Sequence, residues 1–112
     1  MSIQVLQQIQ GVVSEAVEER RGLVVYSRLE PAEMDRLARR LEREALEKIR
    51  RLLPEQTVDQ RVLGVRHRLE RMENELTELG GHGEIRETSR QMQTDEIVWQ
   101  AFEDIAWMLG VE

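Results

Sequence analysis

A chain of 112 residues with no cysteine, a net charge of -6 and only four large aromatics has room for one core and no second domain. It holds no disulfide framework, no thiol nucleophile and no cysteine-held zinc. Its acidic balance argues against a general polyanion binder, because phosphate affinity comes from Lys and Arg displacing counterions.

The charged share of 34% exceeds the usual share of about a quarter, as expected where long solvated helix faces must be covered. Few aromatics with many Leu, Glu and Arg residues fit an all-α class. No apolar run approaches the roughly 18 residues of a membrane span, and the chain opens without a basic leader. The expectation is a cytoplasmic protein with no membrane contact.

Ser2 to Arg20 predicts a first helix, with Ile3, Leu6, Ile9, Val13, Ala16 and Val17 on one face. Ser2 is its candidate N-cap and Gly22 its candidate stop. Leu23-Val24-Val25-Tyr26 is apolar and β-branched, yet no second strand is present to pair with it. A helical or extended connector is expected there, the alternative being a strand that pairs with another copy or another protein.

Pro31 to Leu53 predicts the second helix. Proline suits a first helical position, where its missing amide costs nothing, and Pro54 ends the run by pushing Leu53 out of the α region. Met34, Leu37, Leu41, Ala45, Ile49 and Leu52 form its stripe. Thr57 to Leu79 predicts the third helix, opened by a capping box of Thr57 and Gln60. Val58, Val62, Val65, Leu69, Met72, Leu76 and Leu79 recur in it at spacings of four and three. The two stripes predict a long antiparallel hairpin as the spine of a four-helix bundle, and the bundle is expected to form a homodimer. Gly64 lies early in the third helix, where a closely approaching backbone would explain it. Gly80-Gly81-His82-Gly83 reads as a terminator and hinge. It lacks the Lys-Ser/Thr of a phosphate-binding loop.

Glu84 to Gln93 is polar and is expected to be a loop or short helix. Thr94 is the expected cap of a last helix running to Leu109, with Gly110 just past its end. Every Trp and Phe in the chain lies in that helix, which is apolar on nearly all sides. Trp99, Phe102, Ile105, Trp107 and Met108 are therefore the candidate protein interface, the equal alternative being that the helix plugs the bundle core. Trp is favoured at binding hot spots for its large apolar area and polar handle.

All but one of the sixteen basic residues are Arg, and Arg36, Arg39, Arg40 and Arg43 form a candidate nucleic-acid face on the second helix. Intrahelical pairing with acids at i, i+4 accounts for most of that charge, and no aromatics for base stacking accompany it. His67 and His82 are the only histidines. Neither follows a Glu at the spacing of di-iron bundles, so no metal, cofactor or catalytic set is expected.

Arg61 stands six positions ahead of His67, a spacing similar to the Arg-to-His motif of HEPN-type helical ribonucleases. The resemblance covers those two residues and implies a dimeric RNA-cleaving bundle. Val62 departs from the polar residue usual after the Arg in that family.

Taken together, the sequence favours a non-catalytic assembly or adaptor protein acting on a protein partner or on a second copy of itself. A small subunit of a nucleic-acid complex is the alternative, and an RNA-cleaving bundle the weaker one.

Overall fold

The computed structural model describes residues 2 to 111 apart from Ser27, His82, Glu84 and Ile85. The cap expected from the Ser2 hydroxyl and the reading of His82 lie outside what it describes. Four helices follow one another: α1 (Ser2–Tyr26), α2 (Pro31–Leu52), α3 (Gln60–Gly80) and α4 (Glu87–Met108). No strand forms among the described residues, and no helix is long and apolar enough to cross a membrane.

Three boundaries differ from the sequence expectation, and each has a local cause. α1 does not stop at Gly22 but continues through Leu23, Val24 and Val25. With no strand to pair with, these residues satisfy their backbone groups best by extending the helix. That choice leaves Val24 and Val25 exposed. α4 begins at Glu87, well before Thr94. Its first two turns contain Glu, Arg, Gln and Met, all good helix formers. Thr94 is consequently internal, its hydroxyl donating to the Arg90 carbonyl at 2.8 Å.

The start of α3 is also capped differently. Asp59 Oδ1 accepts from the amides of Arg61 and Val62 at 2.9 and 3.3 Å, while Thr57 Oγ1 accepts from the Asp59 amide at 3.1 Å. Aspartate caps as well as threonine and stands directly before the helix, so Thr57 braces the cap instead of being it. Val58 falls outside the helix and is 89% exposed. At the other end of the chain Gly110 adopts φ 73°. Its amide and that of Val111 bond the carbonyls of Trp107 and Ala106, closing α4 with a left-handed glycine turn.

The long hairpin of α2 and α3 is not the spine. α1 packs chiefly on α2 and α3 chiefly on α4; α2 also packs on α4 but meets α3 only slightly. The connection from Leu53 to Asp59 is long enough to let α3 turn away, and its Val65 and Leu69 join the apolar face of α4. That face supplies Val98, Ala101, Phe102, Ile105, Ala106 and Leu109 to a core shared with Ile9, Val13 and Val17 of α1 and Leu46 and Ile49 of α2. α4 therefore gives the core its widest apolar face, packing on α3 and α2, while α1 reaches it through side chains such as Arg20.

The result is a slab of 43 × 39 × 19 Å with a radius of gyration of 15.0 Å, against about 13 Å for a compact domain of this length. Its accessible surface is 7845 Å². A folded monomer of 13.2 kDa normally exposes about 6,400 Å². Four helices spread in a thin layer leave more surface uncovered than a closed bundle does.

Candidate functional site

The most distinctive chemistry lies where α1, α2 and α4 meet. Glu42 falls on the buried face of α2 with Ala38, Ala45, Leu46 and Ile49, and none of its surface reaches solvent. A carboxylate there needs partners, because an unpaired buried charge is very costly. Arg20 of α1 donates from Nη1 to Glu42 Oε2 at 2.8 Å and to Glu103 Oε1 of α4 at 2.6 Å. Arg39, one turn before Glu42, donates from Nη2 to Oε2 at 2.9 Å. Its Nε lies 2.7 Å from Oε1, but out of hydrogen-bonding line, so that both atoms are buried without a hydrogen bond.

Two aromatic rings of α4 complete the cluster. The Arg20 guanidinium sits 5.2 Å from the Phe102 ring centroid, and that of Arg39 sits 5.8 Å from the Trp99 ring. These distances allow a cation–π attraction. Burial raises the Glu42 carboxyl above its ordinary value of 4.5, and the pull of Arg20 and Arg39 does not fully offset it. The cluster therefore ties three helices together at an electrostatic cost.

Beside it opens a cleft of about 320 Å³, at the small end of the roughly 300–1,000 Å³ range of ligand pockets. Leu23, Val24, Met34 and Ala38 give it apolar walls, Trp99 stands at one side, and Arg20, Asp35, Arg39 and Glu103 add charge. A second pair crosses between α3 and α4, where Arg68 Nε donates to Asp104 Oδ2 at 2.7 Å. Among the described residues no three His, Cys, Asp or Glu side chains converge as a metal site would require.

The expected interface residues separate into two environments. Phe102 and Ile105 are inside the core, and Met108 packs against its edge. Trp99 is half-buried at the cleft, whereas Trp107 is 76% exposed. The expected arginine face is likewise divided. Arg39 is part of the Glu42 cluster, Arg40 pairs with Glu44 at 3.1 Å, Arg43 approaches Asp95 at 3.6 Å, and Arg36 is exposed. Arg61 and His67 are both exposed on α3. Six positions of helix set them about 240° apart, on different faces.

Glu42, Arg20, Glu103 and Arg68 were not singled out by periodicity. Glu42 was findable, since it stands one turn from both Ala38 and Leu46 on a face otherwise apolar. No protein-family model matches the chain, and comparison with curated proteins and with solved structures gives no match.

Proposed function

We propose that this chain is a non-catalytic assembly or adaptor protein that works through protein–protein contacts. The observation that carries the reading is the accessible surface of 7845 Å², about 1,400 Å² more than a monomer of this mass normally exposes. A standard interface removes about 800 Å² from each partner, so one such contact lies well within the surplus. Part of the surplus is apolar: Val24, Val25, Met92 and Trp107 all face solvent. The carboxylates of Glu42, Glu103 and Asp104 are instead held in structural pairs with Arg20, Arg39 and Arg68. A nucleic-acid role finds less support, because Arg39, Arg40 and Arg43 are each engaged by a carboxylate of the same chain.

The reading is tested by placing a photo-reactive amino acid at position 107 and, as a control, at the exposed Gln7, in cells of the native host. A discrete protein adduct specific to position 107 supports it. Identical, diffuse labelling from both positions removes its basis.

A further inference from the structure

The outward face of α4 carries a projecting side chain and borders a receiving cleft. Trp107 is 76% exposed, and Trp99, eight residues earlier, stands at the side of the 320 Å³ cleft. Eight residues of helix separate them by about 12 Å along the axis and about 80° around it. The cleft suits one large apolar side chain with a polar edge, because its lining joins Leu23, Val24, Met34 and Ala38 to the charged Asp35, Arg39 and Glu103. An indole has that character.

Charge narrows the choice of occupant. At a net charge of -6 two copies repel wherever acidic faces meet. The two carboxylates nearest Trp107 on α4 are already neutralised, Glu103 by Arg20 at 2.6 Å and Asp104 by Arg68 at 2.7 Å. This strip is thus a place where like chains can approach. A two-fold contact is self-complementary, so a projection and a cleft on one helix satisfy each other twice and the assembly closes.

We infer that the occupant of the cleft is a second copy of this chain. In that dimer the two α4 helices run antiparallel about an axis near Glu103, and Trp107 of each copy enters the cleft beside Trp99 of the other. The inference rests on the protein-contact reading above and gives it a partner and a geometry. The surplus surface of about 1,400 Å² per chain exceeds the roughly 800 Å² that a stable dimer buries on each side.

The test uses the purified full chain. Sedimentation equilibrium up to about 100 µM, a range that reports micromolar affinities, is expected to show a dimer. Trp107→Glu is expected to weaken it at least about 30-fold, as loss of a hot-spot side chain does. Its helical circular dichroism should not change, because the side chain is mostly solvated. The chain has no cysteine, so an introduced thiol reports only on its own position. Helix axes about 8–10 Å apart bring facing Cα atoms within disulfide range, and Glu103→Cys is expected to cross-link on oxidation. Gln100→Cys, offset from its copy by about 9 Å along the axis, is not.

A dimer indifferent to Trp107→Glu, or one that cross-links as readily through Gln100→Cys as through Glu103→Cys, overturns the geometry and leaves the assembly reading standing. A wild-type monomer at the highest concentration overturns the second copy as occupant. If position 107 still forms a specific adduct in the host, the partner is a different polypeptide; if it does not, the assembly reading falls as well.

Discussion

The pair between Arg68 and Asp104 is expected to respond very differently depending on which partner is removed. The Arg68 side chain is 7% exposed and that of Asp104 38%, and Arg68 Nη1 is buried without a hydrogen-bond partner. Removing one member of a fully buried pair costs about 3–5 kcal/mol, whereas an exposed pair contributes about 0–1 kcal/mol. With one partner buried and the other over a third exposed, Asp104→Asn should cost about 1–2 kcal/mol, since it leaves the guanidinium uncompensated. For a domain of this size that lowers Tm by about 5–10 °C. Arg68→Met removes both the buried charge and the unpartnered N–H, keeps the aliphatic stem, and should be neutral or slightly stabilising. In Arg68→Met the further change Asp104→Asn should have almost no effect. Urea unfolding of the four proteins followed by circular dichroism measures this coupling directly.

The acid limb supplies a second check on the same pair. Burial pushes the Asp104 carboxyl up, but hydrogen bonds from Arg68 and Gln100 and the nearby charges of Arg68 and Arg71 hold it below its ordinary 3.8. A carboxyl lowered on folding contributes stability that is present above its unfolded value and lost as pH falls through the folded one. Asp104→Asn should therefore flatten the fall in stability below about pH 4. An Arg68→Met protein less stable than wild type by more than about 2 kcal/mol would refute the reasoning, as would an Asp104→Asn protein of unchanged stability.

Three further outcomes are expected. Glu42 has a carboxyl raised above 4.5 by burial, so the stability it contributes is full below that value and is lost as pH rises through the folded one. The stability of Glu42→Gln relative to wild type should accordingly increase from acid to neutral pH, measured by urea unfolding at matched pH values. Phe102 is fully buried beneath Arg20, and Phe102→Ala should cost about 3–5 kcal/mol in the same assay. Gly64→Ala should raise Tm, corresponding to about 0.5–1 kcal/mol. A Cβ there would meet only Met108 Sδ at 3.6 Å, an ordinary contact, and no neighbouring backbone among the described residues comes as close.

The all-helical class and four helical segments were legible in the sequence because their apolar residues recur at helical spacing. Pro31, Pro54 and Gly110 marked boundaries that the structure keeps. What periodicity could not rank was partner choice. The stripes of α2 and α3 have similar spacing and lie next to each other in sequence, yet Val65 and Leu69 pack on α4, whose broad apolar face offers more area than the narrow stripe of α2. The polar run from Glu87 to Gln93 carries no stripe to bury, so periodicity does not mark it as helix. In α2 the choice of face mattered most. Centring the stripe on Leu41 places Glu42 on the flank, whereas a stripe drawn through Ala38 and Leu46 includes it, and the packed structure buries that second face. Half of the candidate site, Trp99, Phe102 and Arg39, was therefore visible from sequence, while the carboxylate that organises it lay off the stripe.

That carboxylate costs stability, and the composition of the surrounding interface explains what it supplies in return. Where α1, α2 and α4 meet, Ala16, Ala38, Ala45, Ala101 and Ala106 lie buried among the larger side chains. Small residues make shallow grooves, and two such faces can slide by one turn, about 5.4 Å, with modest loss of contact. Ionic contacts do not slide. Arg20 bonds Glu42 and Glu103 together, so one guanidinium fixes α1 against both other helices. A one-turn slip would leave Glu42 buried and unpaired, a loss of about 3–5 kcal/mol, far larger than the difference between two alanine packings. The cluster thus exchanges some stability for a single register. Because Trp99, Arg20 and Glu103 also line the cleft, the register that the cluster selects is the one that gives the cleft its shape.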